Sequence, residues 1–254
     1  MKILIPVQVV PDRVEEIVIN KQKTGFELGD IAWILNEFDD HAIEEGILLK
    51  EKYGAEVVVI AAGGELAEDG LFTAAAKGAD RLIKINLDFR DNLVNNHALA
   101  KVFFEVIKEE KPDLVLTGVS NPNGFDGSIG ALLAEHMGVA YIGYVSGTEI
   151  AGNSIVALKD YPGGVKAKLE AELPVVLGIS SAHEPPRYVP ISKVRQAMKT
   201  SSLEEKEAEL DLTGGLSSDR MYEPEVAGKA EMLNGNLKDI ADRIAEIIKS
   251  QGLI

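Results

Sequence analysis

The chain has 254 residues, a formal net charge of −15 at pH 7 and no cysteine. This length suits one large α/β domain, or such a domain with an extension. The lack of thiols excludes disulfides, cysteine-ligated zinc and cysteine-held iron–sulfur clusters, and it fits a reducing compartment, so we expect a cytoplasmic protein. The acidity argues against nucleic acid as a partner, because a phosphate backbone needs a basic surface. No apolar run approaches the ~20 residues that span a bilayer, so we expect no direct membrane insertion.

In the first half of the chain, predicted strands and helices alternate. Apolar runs predict strands at residues 2–9, 55–64, 81–87 and 113–118. The segments between and after them predict helices at residues 37–53, 66–77, 92–110 and 126–137. Residues 13–31 alternate weakly around a turn, which indicates a hairpin or an extended excursion. Strands that alternate with helices in this way indicate βαβ units and an α/β fold with a parallel sheet.

The second half of the chain has a different pattern. Residues 140–179 hold short β-like runs separated by Gly and Asn turns, which predict antiparallel strands added at one edge of the sheet. The chain then becomes rich in proline and in charge, and only residues 236–250 regain the spacing of an amphipathic helix. A long polar arm buries itself poorly, so an arm that ends in such a helix indicates docking on another subunit. We predict a nucleotide-binding α/β domain at 1–182, a partner-recognition loop with a short helix at 183–200, and a C-terminal arm with a helix at 201–254.

The stretch LVLTGVSNPNGFDGSIGALLAEHMG, residues 114–138, has the pattern of a strand, a glycine-rich turn and a helix. Such turns bind anions through backbone N–H groups and the helix dipole. The stretch lacks the Walker A and GxGxxG patterns, so a nucleotide monophosphate held by amides and by Ser120 and Ser128 fits better than a hydrolysed triphosphate. On this loop alone, an ordinary βα turn is slightly favoured. A nucleotide site becomes the preferred interpretation because parallel sheets bind ligands at the carboxyl ends of their strands, where four segments gather. These are residues 6–8, 36–39, 62–64 and 118–129.

Other residue patterns give no catalytic set. The histidines at 41, 97, 136 and 183 are scattered in sequence, and the chain has no HExxH, no GxSxG and no paired-carboxylate pattern. We therefore predict no catalytic residues and no metal site. Asn36 stands where a helix N-cap belongs, and it either caps that helix or contacts an adenine or ribose.

The segment EPPRYVPISKVRQAMK begins at Glu184 and predicts a rigid, exposed loop followed by a basic helix. Apolar side chains on a stiff loop suit partner recognition, because the entropy cost of ordering the loop is already reduced. The alternative is a solvated connector to the C-terminal arm.

Taken in order, these pieces resemble the β subunit of electron-transfer flavoprotein. The matching segments are MKILIPVQVVPD, LNEFDDHAIEEGILLKEKYGAEVVVIAAG, AAAKGADR, PDLVLTGVS, LPVVLGIS followed by PPRYVPISKVRQAMK, and DRMYEP. The resemblance covers nearly the whole chain. It implies a Rossmann-like domain, similar also to adenine-nucleotide α-hydrolases, with an extended C-terminal arm that docks on an α subunit.

In that family, the α subunit of the heterodimer holds most of a redox-active FAD, and the β subunit adds part of the cradle and binds a structural AMP. The resemblance implies an electron carrier rather than an enzyme. Electrons would come from a flavin dehydrogenase of the acyl-CoA dehydrogenase kind and pass to a downstream acceptor.

The resemblance also implies two groups of site residues. The nucleotide contacts would be Pro6, Asn36, Glu37, Phe38, Asp39, Ala62, Gly63, Gly118, Val119, Ser120, Asn121, Asn123, Gly124, Phe125, Asp126, Gly127, Ser128 and Ile129. The partner-recognition residues would be Pro186, Arg187, Tyr188, Val189, Pro190 and Ile191.

The chain departs from the family pattern at several of these positions. Asn123 replaces a common aspartate, and Ser128 with Ile129 lacks a threonine hydroxyl, which leaves more of the phosphate to the backbone. Ile191 stands where the family carries an anchoring leucine. Arg13 stands where some members place an aromatic residue near the flavin, so we assign it no flavin role.

Two alternatives remain open from the sequence. In an electron-bifurcating branch of the family, the β subunit binds a second FAD in place of AMP and receives hydride from NADH. A stand-alone adenine-nucleotide-binding module would share a similar α/β core. Such a module needs neither the recognition loop nor a long arm, so this chain argues against it.

Overall fold

The computed structural model describes residues 1–27, 31–87, 95–122, 126–209, 211–216, 218–224, 228 and 230–253. The predicted site residues Asn123, Gly124 and Phe125 lie outside these ranges. The chain divides into two compact units, Met1–Met221 and Tyr222–Ile254. None of the helices in the described ranges has the length and apolar character needed to cross a membrane.

The first unit contains eleven strands, five α-helices and a short 3-10 helix at Pro162–Gly164 within the described residues. The strands are β1 (Lys2–Val7), β2 (Val9–Pro11), β3 (Trp33–Leu35), β4 (Glu56–Ala62), β5 (Arg81–Asn86), β6 (Leu114–Gly118), β7 (Ala140–Ala151), β8 (Ser154–Tyr161), β9 (Val165–Glu172), β10 (Val175–Ile179) and β11 (Leu203–Glu207). The helices are α1 (Glu37–Tyr53), α2 (Glu65–Lys77), α3 (Asn96–Glu110), α4 (Ile129–Met137) and α5 (Ile191–Thr200).

Nine strands form one sheet in the order β11-β5-β4-β1-β6-β10-β7-β8-β9. Every neighbouring pair from β11 to β7 is parallel, and β8 and β9 continue the sheet in antiparallel fashion. Strands β2 and β3 form a separate antiparallel pair. The predicted α/β fold with a parallel sheet and added antiparallel strands is therefore confirmed.

Helices cover both faces of the sheet. Successive side chains of a strand point to opposite sides, so each face carries apolar side chains that pack against helices. Ile3 and Ile5 of β1 belong to the apolar cluster that contains α1 and α2, whereas Leu4 belongs to the cluster that contains α3 and α4. This double coverage explains why the parallel strands read as continuous apolar runs.

Several strands differ from the sequence prediction. The β2–β3 pair was not predicted, and β7, expected to be antiparallel, is parallel to its neighbour β10. Residues 175–179 were expected among the antiparallel edge strands, but β10 lies between β6 and β7 and is parallel to both. All five of its residues are buried, as in a strand covered on both faces. Residues 203–207 were expected in a polar arm, yet β11 pairs in parallel with β5 at the far edge.

Most predicted helix boundaries are confirmed to within a residue or two, but two helices begin later than predicted. Helix α3 begins at Asn96 rather than at 92, a position outside the described ranges, and α4 begins at Ile129 rather than at 126. The carboxylate of Asp126 accepts hydrogen bonds from the backbone N–H and the hydroxyl of Ser128, at 3.0 and 2.8 Å. Residues 126–128 therefore form a local turn, and the helix begins after it. Residues 13–27 form the expected hairpin-like excursion, with a single antiparallel bridge between Ile19 and Phe26.

The second unit, considered by itself, contains helix α6 (Leu237–Ser250). The side chain of Asn236 caps it by accepting a hydrogen bond from the N–H of Asp239 at 3.0 Å. The helix agrees with the amphipathic segment predicted at residues 236–250.

Candidate functional site

The candidate site lies where the strand order reverses, at the carboxyl ends of β1 and β6. From β1 the chain proceeds outward through β4 and β5, then crosses back to β6 on the other side of β1. The ladder between β1 and β6 pairs Ile3 with Leu114 and Leu4 with Val115. Open α/β sheets bind ligands in the crevice at such a reversal.

A buried carboxylate from α1 joins the two strands at this crevice. Asp39, only 3% exposed, accepts a hydrogen bond from the backbone N–H of Gln8 at 2.9 Å and another from that of Gly118 at 3.0 Å. Burial raises the pKa of Asp39 to about 7, although hydrogen bonds from Gln8, Asn36 and Gly118 favour its charged form. Asp39 therefore occupies backbone donors that an incoming anion could otherwise use.

The first turn of α1 approaches the end of β6 so closely that only glycine fits there. A Cβ at Gly118 would lie 2.4 Å from Oδ1 of Asp39 and 2.8 Å from Cβ of Phe38. The small residue at 118 thus sets the distance between α1 and the loop that follows β6.

Asn36 extends this connection to the next residues of the loop. It is 2% exposed and donates from Nδ2 to the carbonyl oxygen of Ser120 at 2.9 Å, while its backbone N–H donates to the carbonyl of Gln8 at 2.9 Å. Asn121 donates to the side-chain oxygen of Gln8 at 3.3 Å. The sequence left two interpretations for Asn36, a helix cap or a contact with an adenine or ribose. Its side chain does not cap α1, and its amide donates to the loop that follows β6 instead.

The second half of the loop carries its own carboxylate. Oδ1 of Asp126 accepts from Ser128, as described above, and also from Nδ2 of Asn96 at 2.5 Å. Among the described residues, two buried side-chain atoms have no hydrogen-bond partner, namely Oδ1 of Asn96 and Oγ1 of Thr117. A Cβ on Gly130 would lie 2.7 Å from that threonine oxygen, so Thr117 lies against the first turn of α4.

A cleft of about 150 Å³ opens beside this region, between the β2–β3 pair and the 118–122 loop. Its lining residues are Val10, Pro11, Arg13, Ile34, Asn36, Glu37, Phe38, Ser120, Asn121 and Pro122. Arg13 is exposed and lies on the wall of this cleft, whereas the glycine-rich loop itself has no cationic residue. Arg13 was given no flavin role from the sequence, because some family members have an aromatic residue at this position.

The structure brings most of the described nucleotide-site candidates to one edge of the sheet. Pro6 is buried within β1, and Ala62 is the last residue of the neighbouring strand β4. Gly63 follows that strand, and its N–H donates to the carbonyl of Ile85 at 3.0 Å. Five of the described candidates line the cleft, namely Asn36, Glu37, Phe38, Ser120 and Asn121, and the other ten do not. These ten include Asp126, Gly127, Ser128 and Ile129 of the glycine-rich loop. Within the described ranges, no group of three or more His, Cys, Asp or Glu residues could hold a metal ion.

The predicted partner-recognition residues lie on a different surface. Arg187 makes an ion pair with Glu44 at 2.8 Å and another with Glu51 at 2.6 Å. These hydrogen bonds raise the pKa of Arg187 and lower that of Glu51. Beyond Arg187, Tyr188 is 86% exposed and Ile191 is 70% exposed.

Comparison with known proteins gives a consistent assignment. The family model described as the electron transfer flavoprotein domain matches residues 26–211. The chain is 29% identical to the electron transfer flavoprotein subunit beta of Bacillus subtilis, over 96% of this chain and 95% of that one. It is also 29% identical to the subunit of that name from Methylophilus methylotrophus, over 98% of both chains. The subunit from Syntrophomonas wolfei is 34% identical over 65% of both chains. The protein therefore belongs to the electron transfer flavoprotein family, in which it resembles the β subunits.

Proposed function

We propose that this chain is the β subunit of a heterodimeric electron-transfer flavoprotein and binds AMP at the carboxyl edge of its sheet. The observation that carries the proposal is the crevice between β1 and β6, which is bounded by α1 and the 118–122 loop. Both of these bounding segments lie within the matched family domain. FAD, when bound and shared with the α subunit, supplies the electron-accepting chemistry. The residues of this chain bind and orient nucleotides and partners.

The polar groups near the crevice fit a nucleotide. The hydroxyl of Thr117 and the side-chain oxygen of Asn96 are buried and lack partners among the described residues, so a ligand or a water can satisfy them. Helix α4 begins at Ile129, and the first N–H groups of a helix have no intrahelical acceptor, which suits a phosphate. Asp39 acts by holding the strand ends in place, because its oxygens are already occupied.

The cleft next to the 118–122 loop measures about 150 Å³, below the range of about 300–1,000 Å³ of pockets for drug-sized ligands. The choice of AMP over a second FAD therefore rests on the family resemblance, in which AMP is the commonest occupant. Arg13 lies on the wall of that cleft and provides a positive charge for a nucleotide.

Two further surfaces suit the partners of an electron carrier. Helix α6 places Ile240, Ile244 and Ile247 at helical spacing, a pattern that suits docking on the α subunit. Tyr188 and Ile191 present apolar surface on a segment that begins after two prolines, which suits a flavin dehydrogenase as electron donor. Electrons then leave to a downstream acceptor through the same flavin.

The test is the nucleotide content of the complex. The chain is co-expressed with the α subunit encoded beside it, purified and denatured, and the released nucleotides are quantified by chromatography. We expect one AMP and one FAD per heterodimer. Two FAD and no AMP would replace the proposal with the bifurcating alternative, and a nucleotide-free monomer would remove it altogether.

A further inference from the structure

The middle of helix α1 carries two adjacent carboxylates that the nucleotide site does not use. Glu44 and Glu45 are each 2% exposed. Glutamate is almost never fully buried unless it is paired. Their hydrogen-bond partners explain their burial, and most of these partners belong to residues 183–187, the segment that leads into the proposed recognition residues.

Glu45 holds the first part of that segment. Its Oε2 accepts a hydrogen bond from the backbone N–H of His183 at 2.8 Å, and its Oε1 accepts from the hydroxyl of Thr148 on β7 at 2.5 Å. One turn earlier on the same helix, Nδ1 of His41 accepts from the N–H of Ala182 at 3.1 Å. Successive backbone donors of the segment are therefore fixed to one face of α1.

Glu44 holds the end of the segment. Its Oε2 accepts from the backbone N–H of Arg187 at 2.9 Å, and its Oε1 accepts from Nε and Nη2 of the same residue at 2.9 and 2.8 Å. Glu51, two turns further along α1, accepts from Nη1 of Arg187 at 2.6 Å. Forked guanidinium–carboxylate contacts of this kind fix orientation as well as distance.

The residues that follow are exposed but held at both ends. Arg187 is fixed on α1, and four residues later α5 begins at Ile191 and packs on α2, with Val194 and Ala197 directed inward. Between these two supports, Tyr188 projects into solvent. We propose that Glu44 and Glu45 are positioning residues that hold the recognition segment in the conformation that docks the electron-donating dehydrogenase.

This inference rests on the proposed function, and its test separates the two. The heterodimer is prepared as wild type and as Glu44→Gln, Glu45→Gln, Ile191→Ala and Asp40→Asn. A reduced acyl-CoA dehydrogenase from the source organism is the electron donor, and its concentration is varied to obtain KM and kcat. Flavin content and melting temperature are measured on each preparation, together with hydrogen exchange of the amides of residues 182, 183 and 187.

Asp40→Asn is the matched control. Asp40 lies on the same helix, and its carboxylate pairs with Lys77 of α2 rather than with residues 183–187. The substitution therefore removes a comparable ion pair that does not involve the segment. We expect it to lower the melting temperature and to leave KM for the dehydrogenase unchanged.

For Glu44→Gln and Glu45→Gln we expect faster amide exchange in the segment and a rise of about tenfold in KM, with kcat at saturation and flavin content unchanged. Without these contacts the segment must become ordered as the dehydrogenase docks, and this ordering cost weakens association, with tenfold corresponding to about 1.4 kcal/mol. If either variant fails to fold, Glu51→Gln replaces it, since Glu51 is exposed, and it should give a smaller rise in KM. Faster exchange with KM within twofold of wild type overturns the positioning role. If Ile191→Ala also leaves KM unchanged, the dehydrogenase does not dock on this segment. The proposed recognition role and the positioning role of Glu44 and Glu45 are then both wrong.

Discussion

The two ends of the parallel sheet shift the pKa of a carboxylate in opposite directions, as Glu110 and Asp39 show. At the amino end, Glu110 accepts from both terminal nitrogens of Arg81, at 2.8 and 3.0 Å, and from Nζ of Lys2 at 2.9 Å. The Arg81 hydrogen bonds lower the pKa of Glu110 to about 2. At the carboxyl end, Asp39 has only neutral hydrogen-bond donors, and burial raises its pKa to about 7.

This contrast indicates that the amino end of the sheet contributes to stability and that the carboxyl end also contributes to ligand binding. A cation-paired carboxylate keeps its charge over the physiological range and holds α3, β5 and β1 together. A buried carboxylate with neutral donors is held less firmly in its charged form, and it lies where a ligand is expected. We therefore expect substitutions at the amino end to change stability alone, and substitutions at the carboxyl end to change nucleotide content as well.

The largest effect should follow Gly118→Ala. The added Cβ would collide with Asp39 and Phe38, at the distances given above, so α1 must move away from β6. We expect a loss of about 3 kcal/mol in the free energy of unfolding by urea, together with loss of bound nucleotide. The matched control is Gly64→Ala, because a Cβ there meets nothing within 4 Å. Equal stability of the two variants would disprove the close approach of α1.

A smaller effect, with a distinctive pH dependence, should follow Asp39→Asn. One oxygen of Asp39 becomes an NH2 group, which then faces the backbone N–H of Gln8 or Gly118 as a second donor. We expect this to lower the free energy of unfolding by about 2 kcal/mol at neutral pH. In the wild type, the raised pKa means that the folded state binds a proton more tightly than the unfolded state does. Between the ordinary pKa of 3.8 and about 7, this group therefore lowers stability as pH rises.

The measurement is urea unfolding of wild type and Asp39→Asn at several pH values, followed by circular dichroism. The wild type should lose up to about 1.4 kcal/mol per pH unit in that window relative to the variant. A difference between the two proteins that stays constant with pH would show that Asp39 does not titrate there.

The smallest effect should follow Glu110→Gln. Its side chain is only 11% exposed, but glutamine keeps an oxygen that can accept from Arg81, and Arg81 retains Glu204 as a second partner, so we expect a loss of about 1 kcal/mol at pH 7. Because the pKa of Glu110 is lowered, its contribution is present above its ordinary value of 4.5 and disappears as pH falls toward 2. Nucleotide content should not change. A loss of AMP from this variant would contradict the division between the two ends.

Several parts of the fold were predictable because their signals are local. The apolar run of β4 and the helical spacing of α1 are properties of short windows, and both elements appear within a residue or two of the expected bounds. The gathering of loops at the carboxyl edge also followed from the sequence, because the βαβ alternation fixes it.

Strand β11 was missed for a physical reason. Its sequence, LEEKE, looks like part of a solvated arm, but it pairs with the edge strand β5, where Glu204 meets Arg81 and Glu205 meets Lys84. An edge strand needs little apolar character, and charged residues protect it from further pairing. Opposite charges across two strands far apart in sequence are not visible in a single window.

The sequence by itself determined the alternation of strands and helices in the first half of the chain and the segments that approach the ligand edge, because periodicity and turn residues act over short distances. The resemblance of the ordered segments, rather than their periodicity, indicated the family. The tertiary structure decided which donors the loop carboxylates occupy, placed Arg13 on the cleft wall, inserted β10 between β6 and β7, and joined Arg187 to Glu44. Each of these depends on contacts between residues distant in the chain, and such contacts form only when the complete sheet brings its elements together.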